Sequence, residues 1–312
     1  MKNEWVKNLI PWLKQIEEKN YIWSLHGNDT CKLGASALFA KLATIYSNHH
    51  SFNKEKIKDN ILSFRQQDGT YSDNDVNGVL EWIAETRQAM SGLYNLGYDI
   101  GEFVIPERIC SEPLFFMSNR AWNQPYGTGA QLSHYLFFNR FKNNIDKIEK
   151  VIFELNNRFK KKEGWYNKRP SNVQIINGAM KIFTGYDAVN LELDENHLRT
   201  ILDFILKTNS STGGCNIYDY VYVLTKCMDI EYKISESKNE LEKQYNKILT
   251  YQQSDGGFSY NKNRSKTEYY TAKNITPGFR CGDIHGTTLF SMALSRIDKY
   301  LGLDLGLELA FS

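Results

Sequence analysis

The residues able to do chemistry in this 312-residue chain are acids, histidines and cysteines that lie far apart in sequence. Glu81 and Glu85 are four residues apart in Glu81-Trp-Ile-Ala-Glu-Thr-Arg87, so a helix carries both carboxylates on one face. Such a pair can supply an acid of raised pKa and a basic partner. A structural ion pair from Glu85 to Arg87, or to a neighbouring helix, is the competing use of the same charges. Trp82, Arg87 and Gln88 make this the most polar stretch of an otherwise apolar segment. Asp219 stands beside Tyr218 and Tyr222. His134 follows Tyr126-Gly-Thr-Gly-Ala-Gln131, where glycines permit close backbone approach to a ligand or a neighbouring helix. Cys281 and His285, four residues apart, could bind zinc with Cys215, and Asp219 or Asp283 could complete the site. The alternative is a set of buried thiols beside a hydrogen-bonded histidine.

These residues must be positioned by helices. Apolar residues recur with helical period in Trp5–Lys19, Leu33–Tyr46, Gly78–Leu96, Gly129–Phe141, Ile145–Phe159, Leu198–Leu206 and Thr287–Ile297. Period-2 alternation is rarely sustained, so the fold is expected to be all-α. A turn signal repeats between helices, as Gln66-Gln-Asp-Gly-Thr-Tyr71 and Gln252-Gln-Ser-Asp-Gly-Gly-Phe258, with looser relatives at Lys162-Glu-Gly-Trp-Tyr166 and Ser210-Ser-Thr-Gly-Gly-Cys215. Glycine ends the helix and the adjacent Asp favours a tight turn. Helices then start near residues 33, 77, 127, 172, 216 and 284, mostly 43 to 51 residues apart, a spacing that means stacked helix pairs. About six pairs closing into a ring give the expected architecture, one α/α-toroid domain over residues 1–312. Residues just after the turns then meet at one mouth: Asp73, Asp75, Tyr126, Gln131, Cys215, Tyr218, Asp219, Asp283 and His285. Glu81, Trp82, Glu85, Arg87, His134 and Tyr222 follow one turn deeper. Helix starts carry unpaired N–H groups, so such a mouth favours anions such as diphosphates.

Composition narrows the partners. With 38 Lys+Arg against 36 Asp+Glu, the formal charge of +2 leaves no electrostatic footprint for nucleic acid. No run of eighteen apolar residues spans a membrane, and residues 1–20 lack an apolar signal core, so a cytoplasmic protein is expected. Five cysteines without paired spacing, Cys31, Cys110, Cys215, Cys227 and Cys281, are expected to be reduced thiols. Aromatic residues reach 13%, enough for a bulky core or an aromatic-lined cavity.

The Gln-x-x-Asp-Gly-Gly-Phe turn at 252–258 resembles the repeat of terpenoid cyclases and protein prenyltransferase β-subunits. Cys281-Gly-Asp-Ile-His-Gly-Thr-Thr288 resembles the last inner helix of the prenyltransferase β-subunits, whose histidine binds zinc. The resemblance implies an α/α toroid and zinc ligands at Cys215 and His285, although Gly213 replaces the family's aspartate. Asp73-Asn-Asp-Val76 resembles the acidic motif of protonating cyclases but lacks its final aspartate, and the Asp-rich magnesium–diphosphate motif is absent.

Three functions remain open. The first is a terpenoid-cyclase or prenyltransferase-like enzyme acting on a hydrophobic, isoprenoid small-molecule substrate. In it Tyr and Trp faces stabilise a carbocation, and Glu85, Asp219, His134 and His285 are the candidate catalytic groups. The second is a carbohydrate-active toroid using Glu81, Glu85, Asp219 or Asp283. The third is a non-catalytic toroid that binds a ligand or peptide. Whether a partner subunit completes the site is open. An insertion at 259–282, carrying Lys262, Arg264, Lys266, Tyr269, Tyr270, Lys273 and Arg280, is expected near the cavity mouth.

Overall fold

The computed structural model describes residues 4–100 and 117–312; Cys110 lies outside them. Eleven helices are described: α1 (Glu4–Glu18), α2 (Lys32–Ile45), α3 (Lys54–Leu62), α4 (Val79–Asn95), α5 (Pro125–Phe141), α6 (Ile145–Phe159), α7 (Asn172–Ala188), α8 (Glu195–Ile205), α9 (Gly214–Met228), α10 (Ile234–Leu249) and α11 (Ile284–Leu301). The strands described form two small antiparallel hairpins, β1 (Lys160–Lys161) with β2 (Gly164–Trp165) and β3 (Glu268–Tyr269) with β4 (Ala272–Lys273). The chain is all-α, as its periodicity implies. The expected helix starts fall within two residues of those of α2, α4, α5, α7, α9 and α11. Among the described residues no helix is long and apolar enough to cross a membrane.

Two kinds of helix alternate, and their sequences explain the difference. Helices α6 and α8 bury one stripe each, Ile148, Val151, Leu155 and Phe159 in one, Leu198, Ile201, Leu202 and Ile205 in the other. Their lysines, arginines and acids take the wet face. Helix α2 instead buries every residue from Leu33 to Ala43, so it is surrounded by protein. Helices α5, α7 and α11 bury residues on all sides in the same way. A surrounded helix can hold polar groups out of water, which an amphipathic surface helix cannot.

The chain divides into two compact units: Met1–Val104 with Thr212–Tyr218 and Leu241–Ser312, and Ile105–Ser211 with Asp219–Glu240. In the first, α2 packs against α3, α4 and α11. In the second, α5 and α7 form the most extensive helix pair. Gly178 allows that approach, because a Cβ there would lie 2.7 Å from Pro125 Cβ. The hydroxyls of Ser133 and Thr184 bond across the same pair at 3.0 Å.

Candidate active site

Within the first unit the two clearest turn signals fold alike. In one, Gln66 N–H donates to Thr70 O (2.8 Å), and Arg65 bridges Tyr71. In the other, Gln253 N–H donates to Gly257 O (2.8 Å), and Gln252 bridges Phe258. Each closing aromatic then bonds a threonine within the first two turns of the next long helix. Tyr71 N–H donates to Thr86 Oγ1 and Phe258 N–H to Thr287 Oγ1, both at 3.0 Å. This alignment matches Glu85 to Gly286, the residues just before the two threonines. In both copies a carboxylate accepts the N–H two residues after the aromatic: Glu85 Oε2 from Asp73 (3.1 Å), and Asp283 Oδ2 from Tyr260 (2.8 Å). The turn can therefore close with glycine at the Glu85 position.

Glu85 is 1% exposed, and its Oε1 has no hydrogen-bond partner. Burial, reinforced by the charges of Asp73 and Asp75 and opposed by the Asp73 N–H bond, pushes its pKa up to about 8. At neutral pH it is a protonated carboxylic acid. Asp73 and Asp75 cap α2 from 40 or more residues away in sequence: Asp73 Oδ2 accepts Leu33 N–H (3.2 Å) and Asp75 Oδ2 accepts Cys31 N–H (2.9 Å). Cys31 stands in the left-handed region before α2, and burial followed by the charges of Asp73, Asp75 and Glu85 pushes its thiol up to about 12. It is a thiol, not a thiolate.

The insertion is an ordered hairpin that delivers Tyr269 to this group. The hairpin is fastened by Asp283, whose carboxylate accepts Gly286 N–H (2.7 Å), Tyr260 N–H (2.8 Å) and Lys266 N–H (3.0 Å). Burial pushes Asp283 up to about 6 against those bonds. The residue read from sequence as a candidate acid is committed to capping α11 and anchoring the insertion. At the other end Thr271 Oγ1 accepts Asn77 N–H (2.7 Å). Between these anchors Tyr269 is buried against Trp23, ring centroids 4.7 Å apart, and its hydroxyl makes no hydrogen bond of good geometry. Gly34 makes room for it: a Cβ there would lie 2.5 Å from the Tyr269 ring.

The other expected residues of this unit are spread around the acid group. His285 packs on Tyr260, centroids 5.2 Å apart, and lies 6.2 Å from the Tyr269 ring. Arg87 is buried and donates to Ser312 O (3.2 Å), and no ion pair joins it to Glu85. Trp82 is half-buried, Tyr218 buried, Cys281 buried and Cys215 half-buried. Among the described residues no three His, Cys, Asp or Glu side chains group closely enough to hold a metal ion, Cys215, Cys281 and His285 included.

The second unit holds Asp219, 2% exposed, with Oδ2 lacking a partner. Burial pushes its pKa up to about 7, opposed by the charge of Lys181. The Lys181 ammonium lies 5.3 Å from the Tyr126 ring centroid, which places Tyr126 beside the Asp219 neighbourhood. The Tyr222 hydroxyl donates to Asp187, which also pairs with Lys226 (2.7 Å), so Tyr222 is tied into a local network. Gln131 and His134 are half-buried on α5. Sequence reasoning missed Lys181 and the role of Cys31, and it placed Tyr269 in the insertion without giving it a role.

Comparison with protein-family models returns no match, and neither does comparison with curated proteins. Solved structures do match. A structure of the type II terpene cyclase MstE from Scytonema with its substrate geranylgeranyl dihydroxybenzoate aligns over 96% of this chain and 98% of its own, with TM-score 0.54 and 11% identity. A ligand-free MstE structure gives 0.52 over 97% and 98%, and a further substrate complex 0.50 over 96% and 97%, each at 11% identity. At that identity the likeness shows the fold, and the fold is the α/α toroid of the type II terpene cyclases.

Proposed function

We propose that the chain is an enzyme of the terpenoid-cyclase-like class that starts carbocation chemistry on a hydrophobic, isoprenoid substrate by proton transfer from Glu85. The observation that carries this reading is the acid itself: a buried, protonated carboxyl with a free oxygen, at a position where the sister turn closes with glycine. The toroid likeness supports the substrate class, since MstE binds a geranylgeranyl compound.

In the proposed step the Glu85 O–H bond breaks and the π pair of a substrate C=C takes the proton, leaving a carbocation beside the Glu85 carboxylate. A high resting pKa makes Glu85 a weak acid, but the cation it creates is the counter-charge that stabilises its carboxylate in a dry site. A second C=C closes a ring, and loss of a proton to a base restores an alkene. Asp219, His134 and His285 are the remaining candidate acid–base groups. Glu85 regains its proton from water, so the reaction is a net isomerisation without a co-reactant.

The test is turnover of geranylgeranyl dihydroxybenzoate in D₂O, with products analysed by mass spectrometry. One deuterium per cyclised product is expected, and Glu85→Gln should lose about 10²–10⁴-fold in rate, the range for a removed general acid. Cyclisation at an undiminished rate by Glu85→Gln refutes the assignment. Tight binding without any turnover favours the non-catalytic toroid.

A further inference from the structure

We infer that the acid-bearing end of the first unit takes a neutral isoprenoid chain and rejects a prenyl diphosphate. This rests on the isoprenoid reading above and deepens it. Helix starts ordinarily attract phosphate because their first N–H groups are unpaired. Here the chain's own carboxylates fill several of those places at α2 and α11. Asp75 and Asp73 take the Cys31 and Leu33 N–H groups of α2, and Asp283 takes the Gly286 N–H of α11. At α4, Glu81 lies in the first turn and curls back to the Gly78 backbone, where a Cβ would lie 2.1 Å from its Oε2.

An anion arriving there would meet these carboxylates beside the helix starts. Among the described residues no ion pair joins Asp73, Asp75 or Glu81 to a base; Lys32 pairs with Asp29 (2.9 Å) and Arg87 reaches Ser312 O. Lys266, the base acting on Asp283, lies 4.1 Å from the Tyr260 ring centroid. A magnesium bridge to a diphosphate needs several carboxylates grouped around one point, and no such group exists among the described residues. What this end does offer is a buried carboxyl oxygen without a hydrogen-bond partner, Glu85 Oε1, beside the buried Tyr269 phenol. Buried donors left unmade are costly, and a neutral acceptor or a π bond is the partner that adds no further negative charge.

The probes are geranylgeraniol and geranylgeranyl diphosphate, titrated calorimetrically into the full chain with and without magnesium. The alcohol is expected to bind at least tenfold more tightly under both conditions. Asp75→Asn combined with Glu81→Gln should narrow that ratio severalfold, because Asn can still cap α2 while two charges are removed. Equal or tighter binding of the diphosphate in either condition overturns the inference and leaves the isoprenoid reading standing. Binding of neither probe removes the isoprenoid reading itself. A preference for the alcohol that the double variant leaves unchanged shows that these acids are not its source, and overturns the argument made here.

Discussion

Replacing Glu85 with Gln should make the protein more stable, by an amount that grows with pH. Gln keeps an oxygen for the Asp73 N–H and cannot ionise. In the native chain the Glu85 pKa is raised from its ordinary value of 4.5 to about 8. Between those values the folded state holds a proton that the unfolded state has released. Stability from this group is therefore complete below 4.5 and falls as pH rises, reaching its minimum above 8. At pH 7 the loss is about 3 kcal/mol, and above pH 8 it levels near about 5 kcal/mol, as upper estimates from 1.36 kcal/mol per pH unit. Urea unfolding of both proteins from pH 4.5 to 8.5 isolates the effect. Asp219 and Asp283 titrate in both, and constant packing differences move the offset and not the slope. The expected difference widens by about 1.4 kcal/mol per pH unit across the middle of the range. A flat difference would mean that Glu85 titrates like a surface carboxylate, and the protonated-acid argument would fail.

Two further substitutions test the scaffold around that acid. Asp283→Ala strips the acceptor from three N–H groups and should cost about 3 kcal/mol or more in urea unfolding, since each buried donor left unmade costs about 1–3 kcal/mol. A loss under about 1 kcal/mol would show that the hairpin is anchored elsewhere. Gly34→Ala drives a methyl into the Tyr269 ring and should cost about 1–3 kcal/mol while quenching less of the Trp23 fluorescence. An unchanged emission spectrum would mean that Tyr269 does not hold its place against Trp23.

The parts of this protein that were legible in its sequence are the local ones. Asp-Gly turns and apolar runs announce six helix starts because their causes lie within a few residues. The long-range roles were not legible. Asp73 and Asp75 look like half of an acid motif, yet they cap a helix that begins near Cys31, 40 or more residues earlier. Tyr269 reaches Gly34 across 235 positions, a contact no periodicity encodes. Asp283 is a different case. Asp three residues before Gly286, at the start of an apolar helix, is a readable N-cap, and treating it as an acid overlooked that signal.

The comparison between sister turns sharpens what Glu85 is for. Both turns need a carboxylate to accept the N–H that follows the aromatic, and one of them obtains it from the helix cap, with glycine beside the threonine. The other obtains it from Glu85 and leaves the second oxygen buried and unbonded. If the only need were to close the turn, a neutral glutamine would meet it without the pH-dependent loss calculated above. A group that weakens the fold at neutral pH and could be replaced by a neutral isostere has its reason outside the fold. In this chain that reason is a proton held where water does not reach, beside a tyrosine that the insertion exists to deliver.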